Sequence, residues 1–124
     1  MSLSMRAAFC ALVVVLPAGA LAQAGYPERP IRLIVAFAPG SPTDLTARTV
    51  GQGMTEAWGK PVVVENRGGA GGVIASQTAK RANPDGHTIL VTSVSFAINV
   101  SLGNPGYAMS DFVPVAQGPV TPNL

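Results

Sequence analysis

Charge is scarce in this sequence. Only 11% of its 124 residues are charged, as eight bases and six acids. No basic stripe runs along any segment, so nothing prepares a surface for nucleic acid. Cysteine is nearly absent: the single one, Cys10, has no second cysteine with which to form a disulfide. There is one histidine, His87, and no cluster of residues at metal-ligand spacing. No nucleophile–base pair can be picked out, so an enzyme reading has no residues to stand on. Internal repeats and low-complexity segments are missing as well.

Apolar residues are plentiful instead, at 48%. Part of the excess lies at the start. Met1 to Arg6 carries one base, Ala7 to Leu16 is apolar, and Pro17-Ala18-Gly19 breaks the run. Ala20-Leu21-Ala22 then places small residues at both positions that a signal peptidase reads. The pattern predicts a cleavable secretory signal over residues 1–22, too short to span a membrane. Cys10 has no lipobox-like context. Cleavage removes Cys10 and Arg6 and leaves seven bases against six acids. No later stretch is long and apolar enough to cross a bilayer.

Residues 23–124 alternate strand and helix signals, within about one domain's length. "IRLIVAF" is a buried strand by composition. Ser41 to Asp44 reads S-x-x-D with Pro42 at the first helical position, an N-cap with a capping-box acid. The helix should run to about Trp58, with Ala47, Val50, Met54 and Ala57 on one face and Gly59 ending it. "PVVVE" is a second strand, "NRGGAGG" a glycine-rich loop, and "VIASQTAKRA" a second helix. After the turn "NPDG" comes a third strand, "HTILVTSV". "SFAINVSLGNPGYAMSDF" has no clear period, and "FVPVAQ" is a possible fourth strand. Strands alternating with helices over short connections predict an α/β fold with a parallel sheet and right-handed crossovers.

In such sheets ligands bind beyond the carboxyl ends of the strands. Here those ends feed "APGSPT", "NRGGAGG" and "TSVSF", all small, two of them opening helices. Helix N-termini offer free N–H groups and the positive end of the dipole, and glycine lets a ligand approach the main chain. Ser41, Thr43, Ser93 and Ser95 could add hydroxyl donors. The junction Phe37–Asp44 therefore reads as a seat for a small carboxylate that needs no lysine.

Plainer roles stand beside this one. Glycine-rich turns also serve close packing alone. Asp44 is accounted for as the capping-box acid, and Arg67 as a solvated base. His87 is expected at the surface, and Trp58 and Met54 in the core. A dinucleotide-binding unit is disfavoured, because Ile74 stands where the last glycine of that fingerprint belongs and no ribose-binding acid follows the third strand.

Taken together, "YPERPIRLIVAFAPGSPTDLTAR", "PVVVENRGGAGG" and "NPDGHTILV" resemble the Bug-type substrate-binding receptors of tripartite tricarboxylate transporters. The resemblance covers Tyr26 to Val115. It implies a periplasmic receptor without a cofactor, which captures a small carboxylate and hands it to a membrane permease. It implies a type II periplasmic-binding-protein fold of two α/β domains. Residues 23–124 would then be the N-terminal part of the first domain, with the second domain absent. Carried onto this sequence, Phe37, Ala38, Pro39, Gly40, Ser41, Thr43 and Asp44 would grip a ligand carboxylate through main chain and bridging waters. Gly71 and Gly72 would line a second wall, and Ser93, Ser95, Phe96 and Asn99 would add contacts.

Two departures qualify the resemblance. The family carries a glycine run where this sequence has Gly40-Ser41-Pro42, and proline lacks an N–H. Family chains are also much longer, so a truncated frame or a fragment is expected. The rival reading is then a secreted α/β remnant that binds nothing. A one-jawed site should bind carboxylates only weakly, since good small-molecule sites bury about 70–90% of their ligand.

Expressed in a bacterium with a periplasm, the chain should appear there starting at Gln23, or at Gly25 if cleavage follows Ala24. Intact-mass measurement of the periplasmic fraction checks this. A mature species retaining Met1–Ala22 would overturn the leader assignment.

Overall fold

The computed structural model describes residues 25–118, so the expected leader, residues 1–22, lies outside them. Three strands, β1 (Ile31–Val35), β2 (Val62–Asn66) and β3 (Thr88–Val91), form one sheet in the order β2-β1-β3. Both pairings are parallel, with Leu33 opposite Val64 on one side and Ile89 on the other. β1 is therefore central. Ile31, Leu33, Ile34 and Val35 are at most 1% exposed. Such burial of an aliphatic side chain contributes about 1.5–3 kcal/mol as an upper bound. A central parallel strand is covered on both faces, which is why its sequence is nearly continuously apolar.

Helices supply the cover. α1 (Pro42–Trp58) joins β1 to β2, and α2 (Val73–Lys80) joins β2 to β3. On one face Ile31, Leu33 and Val35 pack with Ala47 and Met54 of α1. On the other, Ile34 and Ala36 pack with Ala75 and Ala79 of α2. α1 starts as its sequence predicts: Ser41 is extended and its Oγ accepts from the Asp44 N–H, with Pro42 in the first turn. Gly59 ends it in the left-handed conformation, donating to the Thr55 carbonyl.

The buried face of α1 differs from the expected stripe. Ala47 and Met54 do face the sheet, but Val50 is 51% exposed and Ala57 is exposed too. Gly51 takes their place. A Cβ there would lie 3.2 Å from Val62 Cγ1 and 3.3 Å from Leu33 Cδ1, so the missing side chain sets how closely α1 rests on the sheet. A periodicity argument that counts only apolar side chains passes over a glycine contact.

Other expectations are also corrected. Trp58 is 41% exposed and meets Tyr26 edge-on, with ring centroids 5.6 Å apart, rather than entering the core. His87 is 8% exposed rather than at the surface, because Tyr26 covers it edge-on at 5.1 Å. Residues 112–117, expected as a fourth strand, are irregular, with Val113 87% and Val115 79% exposed. Pro114 removes one of the N–H groups that a ladder would use. The segment without a clear period contains a third helix, α3 (Ser95–Leu102). Its Phe96 stacks on the buried Tyr107 at 4.9 Å and meets Phe112 edge-on at 5.1 Å.

Two glycines of α1 should respond in opposite directions. Gly53 is exposed with open space around its would-be Cβ, so Gly53→Ala should stabilise by about 0.8–1 kcal/mol through helix propensity. Gly51→Val should destabilise by about 1–3 kcal/mol through overpacking against Val62 and Leu33. Urea melts of the full chain measure both, and shifts of the same sign would refute the close contact at Gly51.

Candidate functional site

Because the strands are parallel, all three carboxyl ends open on one side of the sheet. The connection after β1 is short and exposed. Ala38, Pro39 and Gly40 face solvent, and Gly40 has φ +80°, which glycine tolerates. The Ser41 N–H donates to the Ala38 carbonyl at 3.2 Å, which closes the turn. Phe37 is half-buried: its side chain joins the apolar layer beneath α2, so it presents chiefly main chain to the strand ends.

Asp44 organises this loop. It is 1% exposed, and both of its carboxylate oxygens are engaged. Oδ2 accepts from the Gly40 N–H at 2.8 Å and from Arg48 Nε at 3.0 Å. Oδ1 accepts from Asn66 Nδ2 at 2.8 Å. A capping-box acid would reach back to the N-cap N–H; this one reaches one residue further, to Gly40. The Arg48 hydrogen bond, then those from Gly40 and Asn66, outweigh burial and lower the Asp44 pKa from 3.8 to about 2. The carboxylate that would have repelled a ligand anion is thus balanced by Arg48. The Gly40 N–H is consumed in the process and is no free donor.

The second strand end is built from left-handed residues. Gly69, Ala70, Gly71 and Gly72 have φ of +123°, +47°, +62° and +94° in succession. Glycine suits three of them, and Ala70 holds a conformation that non-glycine residues seldom adopt. Gly72 is buried, and a Cβ on it would stand 3.2 Å from Ala36 Cβ and 3.6 Å from Ser95 Oγ. Asn99 Nδ2 donates to the Gly71 carbonyl at 3.0 Å, so α3 is tied to the glycine turn. Ser93 Oγ and Ser95 Oγ are 3.1 Å apart, and the Ser95 N–H donates to Ser93 Oγ at 3.3 Å.

The structure thus brings Gly71, Gly72, Ser95 and Asn99 together, and separately joins the Phe37–Asp44 loop to the end of β2. Phe96 is placed differently, its ring lying in the aromatic cluster with Tyr107 and Phe112. Thr43 is half-buried in the first turn of α1, its N–H without a partner among the described residues. The N–H groups of Phe37 and Ala38 are likewise unpartnered there. Two residues of this region escaped the sequence reading. Asn66 ties both ends of the loop after β1, and its place right after the strand signal "PVVVE" was the available clue. Thr92 has a buried Oγ1 with no partner among the described residues. No group of His, Cys, Asp and Glu among the described residues could hold a metal ion, and the donors present are amides and hydroxyls.

The profile of the family described as "Tripartite tricarboxylate transporter family receptor" matches residues 46–117. A UPF0065 protein of Bordetella pertussis is 50% identical over 84 residues, which are 67% of this chain and 26% of that protein. The chain therefore spans about a quarter of that relative's length. Among solved structures, the periplasmic binding protein BugD aligns at TM-score 0.50 and 52% identity, covering 52% of this chain and 22% of that one. The MatC protein of Rhodopseudomonas palustris with bound malate aligns at TM-score 0.50 and 42% identity over the same shares.

Acid sensitivity follows from Asp44. Its folded pKa, about 2, lies below its ordinary 3.8. The unfolded chain therefore binds more protons between these values, and stability rises with pH across them. The contribution is complete above about pH 4 and is lost as the pH falls through about 2. Asp44→Asn should lower the urea midpoint at neutral pH and flatten its dependence between pH 4 and 2. A smaller slope should persist from Glu65, Asp85 and Asp111, whose pKa values are lowered by Arg32, by the His87 N–H and by the Ala108 N–H respectively. An unchanged slope in Asp44→Asn would show that this carboxylate is not its main source.

Proposed function

The chain belongs to the tripartite tricarboxylate transporter receptor family, and on that premise we propose that it serves as an extracytoplasmic receptor segment that captures a small carboxylate for a membrane permease. The observation that carries the reading is the character of the strand ends. They gather uncharged donors, with the nearest buried charge, Asp44, already balanced by Arg48. A carboxylate seated there would accept from the Phe37, Ala38 and Thr43 N–H groups and from the hydroxyls of Ser41, Ser93 and Ser95. The positive end of the α1 dipole would add to this attraction. The alignment with a malate-bound protein supports the same ligand class.

The reading assigns no catalysis, no cofactor and a periplasmic location after removal of residues 1–22. No helix among the described residues is long and apolar enough to cross a membrane. Uncharged donors select a carboxylate by geometry and partial charge, and should do so with little salt dependence compared with a site built on exposed ion pairs.

Amide spectra of the full chain, titrated with malate at millimolar concentration, test this. The Phe37, Ala38 and Thr43 resonances should shift, while glucose at equal concentration leaves them in place. A response to glucose with none to malate would overturn the ligand class. No response at all would favour the rival, a secreted α/β segment that binds nothing.

A further inference from the structure

We propose that Asn66 is the positioning residue of the carboxylate seat, holding the loop after β1 in the shape that turns its free N–H groups outward. The inference rests on the ligand-binding reading above and deepens it.

Asn66 is the last residue of β2 and is half-buried beside the loop it would hold. Its Nδ2 donates to the Phe37 carbonyl at 3.1 Å and to Asp44 Oδ1 at 2.8 Å. Its Oδ1 accepts from Arg48 Nη2 at 3.3 Å. Two acceptors face the amino group and one cationic donor faces the oxygen, so the partners themselves fix which way the amide points. Both hydrogens of the amino group are used. No other side chain in the described region grips both ends of the loop, at Phe37 and at Asp44, the first acidic residue of α1.

The consequence is geometric. The Phe37 carbonyl belongs to the peptide unit whose N–H is Ala38's. A trans peptide is planar, with its C=O and N–H pointing in opposite directions. Fixing the carbonyl toward Asn66 therefore fixes the Ala38 N–H away from it. At the other end, Asn66 shares Asp44 with Arg48 and Gly40, so the α1 start and its Thr43 N–H are held in the same frame. Donors that are fixed before a ligand arrives need no ordering when it binds, and that saving appears as affinity. Asn66 need touch no ligand to have this effect.

The test pairs Asn66→Ala with the Gly51→Val variant, whose substitution lies in the middle of α1, away from the strand ends. Malate is titrated into each full chain, and stability is followed by urea melt. In the chain itself the Phe37 and Ala38 amides should respond to malate. In Asn66→Ala the malate affinity should fall by about tenfold, the worth of roughly one hydrogen bond. Gly51→Val should lose stability and keep its malate affinity within about twofold, since that factor is only a few tenths of a kcal/mol. Equal affinity in Asn66→Ala and the parent would overturn the positioning role while leaving the carboxylate reading intact. Equal losses of affinity in both variants would reduce Asn66 to a stabilising residue. Absence of any malate response in the parent would remove the carboxylate reading and this inference with it.

Discussion

A buried carboxylate holds the carboxyl end of this sheet together. Asp44 sits in the first turn of α1 and takes hydrogen bonds from the loop before it, from the helix it belongs to and from the strand beside it. A charge this deeply placed is tolerable only when its lone pairs are filled and a counter-charge is near. Here one cation and two neutral donors meet that condition, and its low pKa records how strongly they favour the ionised form. The loop between β1 and α1 has almost no apolar anchor beyond Phe37. Its shape is therefore decided by this polar network, and the network exists only because β2 ends in Asn66 next to β1.

Much of the framework was legible beforehand because it depends on local rules. "IRLIVAF" is apolar at nearly every position since β1 is sandwiched between helices, and Ser41, Pro42 and Gly59 carry the start and stop of α1 in their own backbone preferences. Two strand–helix units followed by a third strand were enough to place the three connections on one side of a parallel sheet. The proposed carboxylate seat was read from the same junction, since glycine, proline and hydroxyl residues cluster at the strand ends. What local rules could not supply was which of its donors remain free. The Gly40 N–H looked available and is used by Asp44.

The misreadings share a cause: each residue's place is decided by partners distant in sequence. His87 follows a turn and looked exposed, but Tyr26, 61 positions earlier, lies over its ring and donates its hydroxyl hydrogen to the Gly86 carbonyl. Trp58 looked like core, yet at the end of α1 it is half-exposed with its ring edge-on to Tyr26, 32 positions earlier. α3 had no helical period to read, since Val94, Ile98 and Leu102 are exposed while Phe96 turns toward Tyr107. Asn66 illustrates the same limit at the strand ends: an asparagine after "PVVVE" looks like a strand terminator. Only the fold shows that its amide spans the two ends of the loop after β1.

Charge is distributed in keeping with a seat of neutral donors. Arg29 pairs with Asp85 near the amino ends of the strands, Lys80 with Asp111 at the end of α2, and Arg32 with Glu65 on the α2 face of the sheet. Arg67 is drawn toward the same Glu65, and Arg48 toward Asp44. Arg48 at the strand ends is thus matched by Asp44, whereas Arg67 shares Glu65 with Arg32. An arriving carboxylate would meet oriented N–H and O–H dipoles, with the half-exposed Arg67 only partly offset by Glu65. Such dipoles attract an anion over a shorter range than a net charge, so they reward correct placement more than mere proximity. They also leave no unpaired charge behind when the ligand departs. Under the receptor reading proposed above, release would gain from that arrangement, because neutral donors leave no stranded ion in an empty seat. The scarcity of charge in the sequence and the crowding of small polar residues at the strand ends are, in this view, two sides of one electrostatic choice.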